Sequence, residues 1–166
     1  MKPGMAFQIS INFQSKRKTP TLLGFYQGER VFGADAEAIA ARKPFNVFPD
    51  VFRLLGRNAS HPLVEDYVSR SYIAAGVTPN ERAGVNFVVP PDAGKGEVQY
   101  SAEEAAAMLL AHAKEFTEAF GDVSIKDAVI TVPSYYTQVC LDGEGEVYHV
   151  VRCGASRCAV GARGAA

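Results

Sequence analysis

The sequence predicts an α/β domain. Three observations support this class: extended runs of alternating or β-branched apolar residues, one long segment with helical periodicity, and turn residues between them. The chain has 166 residues, of which 48% are hydrophobic and 21% charged, as in globular proteins. One hydrophobic core is therefore expected.

The N-terminal part is predicted to contain strands followed by a helix. Residues 5–14 alternate apolar and polar side chains, which indicates a half-buried strand. Residues 21–26 are a second extended run that turns at Gln27 and Gly28 into residues 29–33, as in a β-meander. Strong helix formers in residues 34–42 predict a light, exposed helix.

The middle of the chain is predicted to alternate short helices and strands. Residues 46–57 ("NVFPDVFRLLGR") have mixed helical spacing and predict a short buried helix that ends at Gly56. A second short helix is predicted over residues 62–71. Residues 84–89 and 96–101 predict paired strands around a Pro/Gly loop.

A long helix and a final strand complete the predicted elements. Ser101 and Glu104 have the spacing of a capping box, an apolar face follows, and Gly121 ends the helix. His112 lies on that apolar face and is interpreted as a histidine at the core edge, since it has no catalytic partner at useful spacing. The β-branched run before Pro133 predicts a buried strand.

Charge and motifs disfavour several function classes. The net charge of -1 gives no reason to expect a nucleic-acid or anionic-membrane partner. No apolar run is long enough to span a membrane, and we expect no signal peptide in this chain. The 3 cysteines (Cys140, Cys153 and Cys158) and His149 match no zinc pattern, so no metal site is expected.

Asn58 begins the only N-glycosylation sequon of the chain, Asn58-Ala59-Ser60. Glycosylation requires entry into a secretory compartment, and such short sequons also occur by chance. Asn58 is therefore a candidate glycosylation site.

Three segments in this order resemble the N-terminal ATPase domain of the heat shock protein 70 family. They are residues 15–36 ("SKRKTPTLLGFYQGERVFGADA"), residues 46–57, and residues 101–136, which include "SIKDAVITVP". The "KRKTP" and "SIKDAVITVP" stretches are closest to the large endoplasmic-reticulum branch, the glucose-regulated or hypoxia-up-regulated proteins. The resemblance covers about residues 5–138.

The resemblance implies part of an actin-like (ribonuclease H-like) ATPase lobe, with a mixed β-sheet and flanking helices, truncated at both ends. In the family, two such lobes clamp ATP and Mg²⁺, and hydrolysis controls the binding of unfolded proteins and co-chaperones. The branch implies the endoplasmic reticulum lumen, with the cytoplasm as the alternative.

Site residues are carried over at two positions. The family lysine that positions the attacking water corresponds to Phe52, whose phenyl ring cannot donate a hydrogen bond. The proline that relays nucleotide state between domains corresponds to Pro133, although a proline also simply ends a strand. The phosphate loops of the family are absent, so we expect no catalytic residue and no tight binding of ATP or Mg²⁺ by this chain.

Two domains are expected, with a boundary at residue 138. Residues 1–138 would be the partial first lobe, and residues 139–166, which hold every cysteine, would be a non-homologous tail that is disordered or an artefact of the gene model. The sequence leaves three functions open: a fragment of an ATP-dependent folding chaperone that is inactive by itself, a non-catalytic binding module that docks through strand edges, and a truncated product without independent function.

Overall fold

The computed structural model describes residues 8–70, 76–81, 83–91, 96–131, 148–154 and 157–161. The strands are β1 (Leu22–Tyr26), β2 (Glu29–Phe32), β3 (Val47–Pro49), β4 (Val77–Pro79), β5 (Val85–Val89), β6 (Val98–Ser101), β7 (Asp127–Thr131), β8 (Tyr148–Gly154) and β9 (Arg157–Gly161). The helices are α1 (Gly33–Ala40), α2 (Pro62–Arg70) and α3 (Ala102–Gly121), with 3-10 turns at Pro44–Asn46 and Val51–Leu54. The predicted α/β class is confirmed.

The described strands form three sheets of three strands each, in the orders β2-β1-β3, β4-β5-β6 and β7-β8-β9. Every described pairing is antiparallel. The predicted hairpin of β1 and β2 is confirmed, and its turn has positive φ at Gln27 (52°) and Gly28 (80°). That combination matches the right-handed twist of the two strands. The predicted pairing of β5 with β6 is confirmed as well.

The strand predicted over residues 5–14 is wrong for its described part. Residues 8–14 contain no strand, and the chain turns around Asn12, whose side-chain oxygen accepts the N–H groups of Gln14 (3.1 Å) and Lys16 (2.8 Å). Ser15 follows with a φ of 58°. A local side-chain to backbone bond has replaced the sheet hydrogen bonds that the alternation predicted.

The helix predicted over residues 46–57 is also wrong. Val47–Pro49 forms strand β3 against β1, and Asp50, with a φ of 47°, reverses the chain into the 3-10 turn Val51–Leu54. Pro49 and the left-handed Asp50 cannot continue a helix, whereas the free edge of β1 offers a hydrogen-bonding partner. Gly56, with a φ of 61°, lies at the predicted end of this segment.

The two longer helices follow the sequence pattern. α2 matches the short helix predicted over residues 62–71, of which Ser71 lies outside the described residues. α3 begins at the predicted capping box: the Ser101 hydroxyl accepts the Glu104 N–H, and the Glu104 carboxylate accepts the Ser101 N–H. Asp122, in the left-handed conformation, follows the last helical residue Gly121. None of the helices in the described ranges is long and apolar enough to cross a membrane.

One core joins the first two sheets to α2 and α3. Phe48 of β3 and Phe87 of β5 are 0% and 1% exposed, and their ring centroids are 5.0 Å apart. The other buried members are Leu23, Phe25, Val51, Leu54, Val64, Tyr67, Val85, Val89, Ala102, Ala105 and Ala106. The Tyr67 hydroxyl donates to the Pro49 carbonyl (2.8 Å) and ties α2 to β3.

The prediction of a buried strand before Pro133 is right about the strand and wrong about its burial. β7 forms as predicted, but it is not buried: Val129 is 67% exposed, and the core cluster contains no β7 residue. β7 pairs with β8, which lies in the part of the chain predicted to be a separate tail. The proposed domain boundary at residue 138 lies outside the described residues and stays a prediction.

Candidate functional site

The 3-10 turn Val51–Leu54 carries the position that the family resemblance assigns to catalysis. The turn is anchored by two buried side chains, Val51 (0% exposed) and Leu54 (1% exposed). Phe52 lies between them in sequence, half-buried and packed against the core. The aromatic ring at position 52 therefore belongs to the packing of the domain.

The cation next to Phe52 takes part in an ion-pair network with α2. Arg53 Nη2 lies 3.7 Å from Asp66 Oδ2, and Arg70 Nε lies 2.6 Å from Asp66 Oδ1. The Arg53 and Arg70 side chains are 36% and 74% exposed, and that of Asp66 is 29% exposed. Because solvent screens such exposed charges, the two ion pairs contribute little to stability. Their geometric effect is to hold the Arg53 guanidinium toward α2.

This turn does not fit the terminal phosphate of a magnesium nucleotide. A phosphate site needs hydrogen-bond donors or cations directed at one point, and phosphoryl transfer depends on that positioning. The phenyl ring of Phe52 supplies neither a donor nor a charge, and the guanidinium of Arg53 contacts a carboxylate. In the part of the chain that the structure describes, no three His, Cys, Asp or Glu side chains are grouped so as to hold a metal ion.

The sequon lies in the turn that leads from this segment to α2. Asn58 and Ser60 are exposed, and the Asn58 side-chain oxygen accepts the Ser60 N–H at 3.0 Å. The Asn58 carbonyl accepts the His61 N–H at 2.9 Å. The structure therefore places the candidate glycosylation site on the surface, beside the turn of Phe52.

The remaining candidates are not brought to this turn within the described residues. Pro133 and Cys140 lie outside those residues, so the proposed switch stays a prediction. Cys153 and Cys158 are backbone partners in the register of β8 and β9, and His149 is the backbone partner of Ile130 of β7. Sequence spacing did not reveal this pairing, because it depends on a hairpin that had not been predicted.

His112 lies in an aromatic cluster that the sequence only partly indicated. Phe32 stacks on its ring, and Phe13 and Phe116 contact it at centroid distances of 5.8 Å and 5.6 Å. Phe116 follows His112 by four residues on the predicted apolar face of α3, so helical spacing indicated that the two are close. The contacts with Phe13 and Phe32 come from other segments and carry no local signal.

An open apolar groove of about 350 Å³ lies between α2 and β4. Its apolar lining consists of Ala59, Val64, Val68, Val77 and Pro79. Sequence patterns missed this groove because three residues are too few to identify β4 by alternation. Glu65 and Ser69 of α2 supply the polar part of its lining, and the rest of the lining is apolar.

Known proteins match most of the chain. A family model described as Hsp70 protein matches residues 3–140. Hypoxia up-regulated protein 1 is 33% identical over 138 residues in Danio rerio, 34% in Mus musculus and 36% in Gallus gallus. Each alignment covers 83% of this chain but only 13–14% of the relative. The matches confirm the resemblance drawn from the three sequence segments.

Proposed function

Because the chain belongs to the Hsp70 protein family, we propose that residues 1–138 contribute part of the first lobe of a nucleotide-binding domain. The parent activity would be that of a chaperone, which couples ATP binding and hydrolysis to the binding of unfolded proteins. This chain supplies scaffold to that lobe and does not hydrolyse ATP by itself. The endoplasmic reticulum lumen is the proposed compartment, on the strength of the relatives' branch.

The placement of Phe52 carries the proposal of an inactive chain. Catalysis of phosphoryl transfer relies on charge stabilisation at the transferred group, which an aromatic side chain cannot provide. The ring also packs against the core, so that its replacement by lysine would exchange apolar contacts for a charge. We therefore expect position 52 to serve packing in this chain.

Steady-state ATP hydrolysis tests this proposal. The full chain is assayed with Mg²⁺ and, as the control, with an excess of chelator. We expect equal rates in the two conditions, both for the wild type and for Phe52→Lys, since a single lysine does not create the other phosphate contacts. Magnesium-dependent turnover by the wild type would refute the proposal of an inactive chain.

A binding module is the second candidate function, supported by the sheet edges. β2 and β3 are the outer strands of the first sheet, and β4 and β6 those of the second. Such edges present backbone groups that can pair with another strand. The proposed partner is a longer member of the same family. Size-exclusion chromatography of the chain with and without that partner tests this function, and separate elution at all concentrations would exclude it.

A further inference from the structure

The turn that joins Val51–Leu54 to α2 carries an exposed asparagine, Asn58, which begins an N-glycosylation sequon. We propose that Asn58 is the acceptor of an N-linked glycan, donated by a lipid-linked oligosaccharide. This inference rests on the compartment proposed above, because the transfer takes place in a secretory lumen. It does not depend on whether the chain binds or hydrolyses ATP.

Accessibility is the first support for this site. Asn58 and Ser60, the two residues that define the sequon, are both exposed, whereas their neighbour Arg57 is buried. The other asparagines in the chain do not begin a sequon. A transferase that reads an asparagine and the hydroxyl two residues later can therefore reach both groups in the folded chain.

Hydrogen bonding is the second support. The side-chain oxygen of Asn58 accepts the Ser60 N–H (3.0 Å), which brings residues 58–60 into an Asx turn. This bond uses Oδ1 and does not occupy Nδ2, the atom that is glycosylated. The Ala59 N–H is bound by the Ala83 carbonyl (3.1 Å), so the backbone of the sequon is held against the turn before β5.

The chemistry of transfer is a substitution at the anomeric carbon of the donor. Nδ2 of Asn58 forms a C–N bond to that carbon as the C–O bond to the polyprenyl diphosphate breaks. Nδ2 loses one proton, and the diphosphate leaves with the bonding electron pair. No oxidant or reductant is consumed, so the donor and the transferase are the only further requirements.

A glycan at Asn58 would lie next to the apolar groove. Ala59, the middle residue of the sequon, also lines that groove together with Val64 and Val77. A hydrated oligosaccharide attached beside an exposed apolar surface limits the approach of other proteins to it. The glycan would therefore shield the groove and the exposed side of α2 from contact with other proteins.

Translation in the presence of endoplasmic-reticulum microsomes tests the site. The full chain is fused behind a cleavable secretory leader, and only protease-protected chains are scored, so that entry into the lumen is separated from modification. Asn58→Asp is the matched variant, because it keeps the side-chain oxygen that closes the turn but cannot accept a glycan. Ser60→Ala removes the recognised hydroxyl, and Ser60→Thr retains it.

A single mobility shift that a glycosidase removes is expected for the wild type and for Ser60→Thr, with loss of the shift in Asn58→Asp and Ser60→Ala. Absence of a shift in protected wild-type chains, or a shift that persists in Asn58→Asp, would overturn the assignment. Neither result bears on hydrolysis by the chain, which the magnesium-dependent assay measures independently.

Discussion

The imidazole of His112 lies parallel to the ring of Phe32, with centroids 4.3 Å apart and ring planes at 9°. This contact joins α3 to β2. The removal of water from around His112 lowers its pKa below the ordinary value of 6.5, while the carboxylates of Glu115 and Asp35 act in the opposite direction. The cluster therefore couples the packing of α3 to the protonation of one side chain.

The stability of the domain should fall as His112 becomes protonated. Because the folded-state pKa is the lower one, the unfolded chain binds more protons between the two values, and the contribution of His112 is complete above about pH 6.5 and lost as the pH falls through the folded-state pKa. Urea unfolding at about pH 7.5 and about pH 5.5 measures the change. His112→Phe keeps an aromatic ring and should lose less stability on acidification than the wild type. An identical pH dependence of the two proteins would contradict the prediction.

Phe87→Ala should be among the most destabilising substitutions in the chain. The ring of Phe87 is 1% exposed and contacts Phe48, so its removal leaves a cavity and should cost about 3–5 kcal/mol of unfolding free energy. Phe45→Ala is the matched control, since Phe45 is 50% exposed and its loss should change stability much less. Thermal and urea unfolding compare the two variants. Equal losses would show that the core is not centred on Phe48 and Phe87.

Ser101→Ala should destabilise the start of α3 by about 1 kcal/mol. The substitution removes the hydroxyl that accepts the Glu104 N–H at 3.2 Å, and with it one half of the capping box. Ser124→Ala, in the exposed segment after α3, serves as the control and should be close to neutral. Urea unfolding curves measure both variants, and an unchanged midpoint for Ser101→Ala would refute the role of the cap.

Gly24→Ala should destabilise the first sheet by about 1–3 kcal/mol, because an added methyl group has no room. A Cβ at position 24 would lie 2.8 Å from Val31 Cγ2 and 3.3 Å from Ala36 Cβ. The second substitution Val31→Ala should recover part of the loss by removing the nearest atom. Gly96→Ala is the control, since among the described residues, apart from its chain neighbours, no atom lies within 4 Å of the position that a Cβ would take there. Additive losses in the double variant would contradict this steric explanation.

Local patterns were reliable where short-range chemistry decides the structure. The turn at Gln27 and Gly28 needs only backbone conformations that the two residues tolerate, and the start of α3 needs only Ser101 and Glu104. The same patterns were wrong over residues 8–14, the described part of the strand predicted over residues 5–14, and over residues 46–57. In the first segment, a hydrogen bond accepted by the Asn12 side chain replaced strand pairing. In the second segment, pairing with the edge of β1 replaced the helix.

The α/β class, the first hairpin, the cap of α3, the family and the phenylalanine at position 52 could all be read from the amino-acid sequence. The strand at Val47–Pro49, the exposure of Val129, the stacking of Phe32 on His112 and the groove beside α2 became visible only in the folded chain. Caps and turns depend on neighbours a few residues away, whereas burial and strand pairing depend on which distant segments folding brings into contact.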